Sequence, residues 1–232
     1  MNHQLITFDS TVLLQANEVD VSALSLKEQL EEIFKLAADT LAKEGLALDD
    51  VILVVVEVSD MKDRPIVNEA QKAVWKPENY PARIILERGG YKAGAGVRII
   101  FTATKEPHVC INTFKGQIPT GPFSRSAVVG NRVYGCGVRG LKPETQKIIS
   151  DDVKEQARQC LRNLDTNMRS SGSSIQKAYS FSVYLTDLAN VDLVLEVFAE
   201  FGFDPDEIEI TFEKVRALNE YHPVEIACNA LL

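Results

Sequence analysis

LKEQLEEIFKLAADTLAKEG, residues 26 to 45, and VKEQARQCLRNLDTNMRSSG, residues 153 to 172, are one element written twice. Lys27, Glu28 and Gln29 stand 127 residues before Lys154, Glu155 and Gln156, and Gly45 stands 127 before Gly172. In the first stretch Leu26, Leu30, Ile33, Phe34, Ala37 and Leu41 recur at the spacing of an amphipathic helix. In the second, Val153, Ala157, Cys160, Leu161, Leu164 and Met168 carry the same stripe. Each stretch predicts a helix that buries one face and stops at a glycine able to adopt the left-handed conformation.

The same shift lays residues 26 to 99 on residues 153 to 226 without a gap, pairing Asp60 with Asp187, Val67 with Val194, Glu69 with Glu196 and Val97 with Val224. After the helix comes VILVVVEV (51 to 58), a β-branched run that reads as a buried strand, matched by the alternating AYSFSVYL (178 to 185). The two aspartates lead into second helices, MKDRPIVNEAQKAV and LANVDLVLEVFAEF. Two more strands close each copy, around IILE and VRIIFTA in one and ITFEKV and VEIACNAL in the other. We read these as a β-hairpin, with GGYKAGAG (89 to 96) as the first copy's loop. The copies differ at their starts. The second opens with CINTFKGQIPTGPFSRSAVVGNRVYGCGVRG (110 to 140), in which Gly130 and Asn131 signal a turn, whereas only 26 residues precede Lys27. The first copy is therefore the shortened one, and the expected domains are 1–106 and 107–232.

A net charge of -8 repels a phosphate backbone, and no run of Lys and Arg offsets it, so nucleic acid is not an expected partner. No apolar run reaches the roughly 18 residues of a membrane helix, and MNHQLITFDS lacks the features of a signal peptide. The expectation is a soluble, unexported, cytoplasmic protein without membrane partners. Cys110, Cys136, Cys160 and Cys228 form no C-x-x-C pair, and His3, His108 and His222 have no metal spacing. No metal or other cofactor is called for.

GPFSRSAVVGNRVYGCG, KEQARQCLRNL and GSSIQKAYSFSVYLTDLANVDLVLEVF resemble the RidA (YjgF) family of imine and enamine deaminases, almost end to end over residues 111 to 230. The first copy resembles it from Leu26 to Thr104 and carries the YPAR segment at residues 80 to 83. The resemblance implies an α+β fold of two tandem chorismate-mutase-like domains, each a mostly antiparallel sheet with two helices on one face. It also implies domains grouped in threes about an axis, with ligand clefts between neighbours. In the family a P-A-R arginine holds the substrate carboxylate, and a glutamate fifteen residues later handles the hydrolytic water. Arg83 matches that arginine, while the glutamate position holds Arg98 in the first copy. In the second copy the same two positions hold Ile210 and Glu225. The family's GPYS tyrosine is Phe123 here, followed by Ser124, and its cysteine two places after the arginine is Ile85 or Phe212.

Imine hydrolysis needs a forked cation for the carboxylate and a carboxylate to deprotonate water beside the imine carbon. The resemblance thus implies Glu225 as the catalytic group and Arg83, Phe123 and Ser124 as substrate-binding groups, in a composite cleft between the copies. A small carboxylate-bearing metabolite is the expected partner, in a homo-oligomer where three tandem chains supply six domains. The alternative is a small-carboxylate-binding, regulatory or structural protein of the family, since each copy keeps only half of the pair. Without the resemblance, Arg83 reads as a solvated strand-end arginine, Glu225 and Arg98 as outward residues on a pleat, and Phe123 and Ser124 as a turn with an apolar anchor.

Overall fold

The computed structural model describes residues 4–89, 91, 94–112 and 120–232. Parts of the GGYKAGAG loop and of the second copy's opening segment, residues 90, 92–93 and 113–119, lie outside the described residues.

The first copy runs β1 (Leu5–Asp9), α1 (Ser10–Ala16), α2 (Leu26–Lys43), β2 (Val51–Val58), α3 (Arg64–Val74), β3 (Ala82–Glu87) and β4 (Val97–Thr104). The second runs β5 (His108–Ile111), β6 (Ser126–Val129), β7 (Arg132–Gly135), β8 (Val138–Arg139), α4 (Val153–Ser170), β9 (Ala178–Leu185), α5 (Val191–Glu200), β10 (Glu209–Lys214) and β11 (Val224–Leu231). From α2 onward every element of the first copy begins 127 residues before its counterpart, so the repeat read in the sequence is a repeat of structure. Both long helices start on a side-chain cap. Ser25 and Glu28 form a reciprocal capping box at α2, and Asp152 accepts from the Glu155 amide at α4. Both stop at the expected glycines, with Gly45 at φ 74° and Gly172 at φ 81°.

The expected closing hairpins are not present. The first sheet has the order β1-β4-β2-β3, so β3 and β4 flank β2 rather than pairing with each other. β3 lies parallel to β2 through the α3 crossover, and β4 returns antiparallel on the other side. The second sheet repeats this, with β10 parallel to β9 and β11 antiparallel to it. The crossover decides this outcome: a strand that follows a helix packed on the sheet comes back parallel to the strand before that helix. The hairpin read at Gly130 and Asn131 does form, as β6 and β7. In the shortened first copy β1 covers β4 in the place where β7 covers β11.

Each sheet has its helices on one face and the other copy on the opposite face. One core gathers Leu30, Phe34, Val54 and Phe101, and the other gathers Leu161, Leu164, Phe181 and Phe198. Across the seam Ile84 and Leu86 meet Tyr184, Val215 and Leu218, and Ile52 meets Ala127, Val129 and Tyr134. All six residues of β3 are therefore buried, whereas its counterpart β10 is an edge strand with three of six residues exposed.

Candidate functional site

The start of β3 is stitched into the second copy by main-chain bonds. The Ser124 amide donates to Pro81 O at 3.0 Å, and the Gly137 amide donates to Arg83 O at 3.0 Å. This fixes the Arg83 backbone at the seam, and α3 fixes its side chain. Nη1 donates to Asn68 Oδ1 at 2.8 Å and to Gln71 Oε1 at 2.5 Å, and the guanidinium carbon lies 4.7 Å from the centre of the Phe123 ring. Arg83 is 3% exposed, and its Nη2 has no hydrogen-bond partner. The solvated strand-end reading of this arginine is corrected: burial at the seam removes it from bulk water.

Glu225 comes from β11, whose register sets it opposite Arg139 of β8. It is 4% exposed and shares a recess with Arg83, Arg64, Phe123 and Arg139. The two residues that the sequence left in separate copies thus line one recess within a single chain. Glycine permits the approach on both sides. A Cβ on Gly137 would stand 2.0 Å from Glu225 Oε1, and a Cβ on Gly121 would stand 2.5 Å from Arg83 Nη2. The remaining free space is about 20 Å³, room for one water.

Burial raises the Glu225 carboxyl to about 7, against the pull of Arg139, Arg83 and Arg64. Burial and the neighbouring Arg64 push Arg83 down, yet a guanidinium stays protonated at any working pH. Arg139 is anchored by Glu220 at 2.5 Å and by the Asn219 carbonyl at 3.1 Å. Its carboxylate partner sits in a strained turn, with Glu220 at φ 59°. Arg64, on the first turn of α3, donates through Nη2 to Thr120 Oγ1 at 2.7 Å and to the Thr120 carbonyl at 2.5 Å.

Of the four residues expected at the site, Arg83, Phe123 and Glu225 line the recess. Ser124 does not: it is fully buried in the seam beside it, and its hydroxyl has no partner. Ile85 forms apolar wall where the family carries a cysteine, and burial lifts the nearby Cys136 thiol to about 11, too high for a resting thiolate. Among the described residues no group of three His, Cys, Asp or Glu side chains could hold a metal, and no helix is long and apolar enough to cross a membrane.

Sequence reasoning missed Arg64, Asn68, Gln71 and Arg139. The signal that finds them is the difference between the copies. In the second copy Val191, Leu195, Phe198 and Ile210 stand where the first has Arg64, Asn68, Gln71 and Arg83. In the first copy Arg98 stands where the second has Glu225, and it is tied up by Asp9 at 2.6 Å and Glu57 at 3.0 Å. The first copy's polar groups in the recess thus have apolar counterparts in the second, while the counterpart of Glu225 is a charged residue paired elsewhere.

Two tandem α+β domains thus place an arginine of the first copy and a glutamate of the second in one recess at their seam. The Endoribonuclease L-PSP family model matches residues 11–105 and again 115–232. The chain belongs to this family, the RidA/YjgF family, and carries its domain twice. It is 33% identical over 122 residues to Reactive Intermediate Deaminase A, chloroplastic, of Arabidopsis thaliana, a match spanning 53% of this chain and 65% of that one. It is also 33% identical over 106 residues to a RutC family protein of Pyrococcus abyssi, covering 46% of this chain and 84% of the relative. The solved structure of a putative endoribonuclease L-PSP from Entamoeba histolytica superposes with a TM-score of 0.51 at 24% identity, over 54% of this chain and all of that one, and shares the fold.

Proposed function

We propose that the chain hydrolyses 2-imino or 2-enamino acids to 2-oxo acids and ammonia in the cleft between its two copies. The observation that carries this reading is the meeting of Arg83 and Glu225 in one buried recess. Arg83 presents an unpartnered N–H to a carboxylate, and the Phe123 ring backs its guanidinium. Glu225, poised near neutrality, takes a proton from water as the oxygen bonds to the imine carbon. Returned to the nitrogen of the carbinolamine, that proton lets the C–N bond break, and ammonia leaves as the carbonyl forms. Substrates of this kind are labile, so positioning and one base suffice. The relative named as a reactive intermediate deaminase supports the reaction class.

Ammonia release from iminopropionate or iminobutyrate, generated in situ, tests the proposal. Arg83→Ala and Glu225→Gln are each expected to lower kcat/KM by at least about 100-fold, roughly 3 kcal/mol of transition-state stabilisation. A wild type no faster than spontaneous hydrolysis would sink it. Phe123 and Ile85, which offer neither hydroxyl nor thiol, favour as second reading a carboxylate-binding protein without turnover.

The cleft needs no second chain. We retain a homo-oligomer, with three chains as its expected size, as a proposal supported by the outer edge of β10, which has no strand partner among the described residues. Light scattering of the purified chain tests it.

A further inference from the structure

Two of the three arginines in the recess make no direct salt bridge among the described residues. Arg139 has Glu220, but neither Arg64 nor Arg83 forms an ion pair among the described residues. Each also has a buried N–H with no acceptor, Nε of Arg64 and Nη2 of Arg83. After burial, the like charge of Arg64 works against Arg83, and that of Arg139 against Arg64. Glu225 offsets one of Arg64 and Arg83 while it is ionised, but once it takes the proton from water a single carboxylate on Arg83 leaves the second cation uncompensated, and a buried unpaired charge is costly. The copies add an independent observation. Arg64 and Arg83 correspond to Val191 and Ile210, so the second copy carries neither cation and the first carries both.

We propose that the recess takes a substrate with two carboxylates, a short 2-imino or 2-enamino dicarboxylate of the kind formed by oxidising aspartate or glutamate. Arg83 holds the carboxylate next to the imine carbon, and Arg64 holds the distal one. This inference rests on the deaminase reading for its chemistry but not for its charge argument. Arg64 is the arm able to make room. It is only half-buried, and its head rests on the neutral oxygens of Thr120, so a carboxylate that draws it off that residue exchanges neutral acceptors for a charged one. The reaction balances as before: water adds to the imine carbon, ammonia departs, and a 2-oxo dicarboxylate remains.

The test compares the full chain on imines generated in situ from aspartate or glutamate with those from alanine or 2-aminobutyrate, read as acceleration over spontaneous hydrolysis. Calorimetric titration with 2-oxoglutarate and 2-oxobutanoate runs in parallel. The expected result is a kcat/KM at least tenfold higher for the dicarboxylic imines. Arg64→Gln reduces that preference to within twofold, mostly through KM, and Arg64→Lys recovers part of it. Equal kcat/KM for the two classes, or a preference that survives in Arg64→Gln, overturns the proposal and leaves imine hydrolysis standing. If no imine is hydrolysed yet 2-oxoglutarate binds at least tenfold tighter than 2-oxobutanoate, in an Arg64-dependent way, the dianion site stands and hydrolysis fails. Neither turnover nor preferential binding overturns both.

Discussion

Glu225 shows how the site holds a carboxylate near neutrality. Three arginines pull its ionisation down, and burial at the seam pushes it up by more, to about 7 from an ordinary 4.5. The sign of the consequence for stability follows. A carboxyl whose folded value exceeds its unfolded one favours the folded state while protonated. The wild type therefore loses stability as pH rises from about 4.5 through about 7, and levels off above, by on the order of 3 kcal/mol. Glu225→Gln, which cannot ionise, should unfold at nearly the wild-type temperature near pH 4.5 and at a higher temperature above pH 7.5. Thermal melts across that range check this, and parallel curves for the two proteins would show that Glu225 does not titrate as described. The same group sets the pH profile: kcat/KM should rise with a midpoint near 7. At this scale the sequence was half legible. Arg83 and Glu225 were reachable by a fixed shift and a family motif. Arg64 and Gln71 look like ordinary polar residues of an amphipathic helix, and only the aliphatic and aromatic residues at the matching places mark them out.

The helix pairs divide along the same line. In the second copy α4 and α5 are bridged by Lys154 to Glu196 and by a bidentate pair from Arg158 to Glu200, at 2.5 and 2.7 Å. In the first copy Lys27 pairs along its own helix with Glu31 at 3.6 Å, Glu69 pairs with Lys72 at 2.7 Å, and Ala73 stands where Glu200 would be. Between α2 and α3 an apolar groove of about 700 Å³ stays open, lined by Phe34, Ala38, Leu48, Ala70 and Val74. Installing the missing clamp with Glu31→Arg and Ala73→Glu should raise the melting temperature of this copy by about 1–3 °C at low salt, a gain that 1 M salt removes, because exposed ion pairs are weak and screened. Calorimetry at the two salt concentrations decides it; an unchanged low-salt Tm would mean the helices do not reach each other there. Helices and strands were legible from their periods and caps. Strand order was not. A nine-residue connection such as that from β3 to β4 looks like a hairpin loop, and nothing local in IILE or VRIIFTA says that β2 lies between them. Partners of that kind are fixed by the α3 crossover and by burial of β3 on both faces, which are properties of the packed molecule.

In the whole molecule, the proposed cleft makes tandem fusion the answer to a pairing problem. The arginine half and the glutamate half of the cleft differ in sequence, and joining them in one chain guarantees that each arginine half meets a glutamate half. If identical chains instead shared clefts between them, two inactive variants would rescue each other on mixing, since some interfaces would unite an intact Arg83 with an intact Glu225. The proposed function expects no such rescue, because it works through Arg83 and Glu225 in one recess of a single chain. Every chain of Arg83→Ala therefore keeps its own damaged cleft whatever its neighbours carry, and so does every chain of Glu225→Gln. Purified variants mixed in equal amounts, unfolded and refolded together, should show no more imine hydrolysis than the sum of the two alone. Recovery of about a quarter of wild-type activity, the share expected from random pairing of halves, would mean that the working cleft lies between chains.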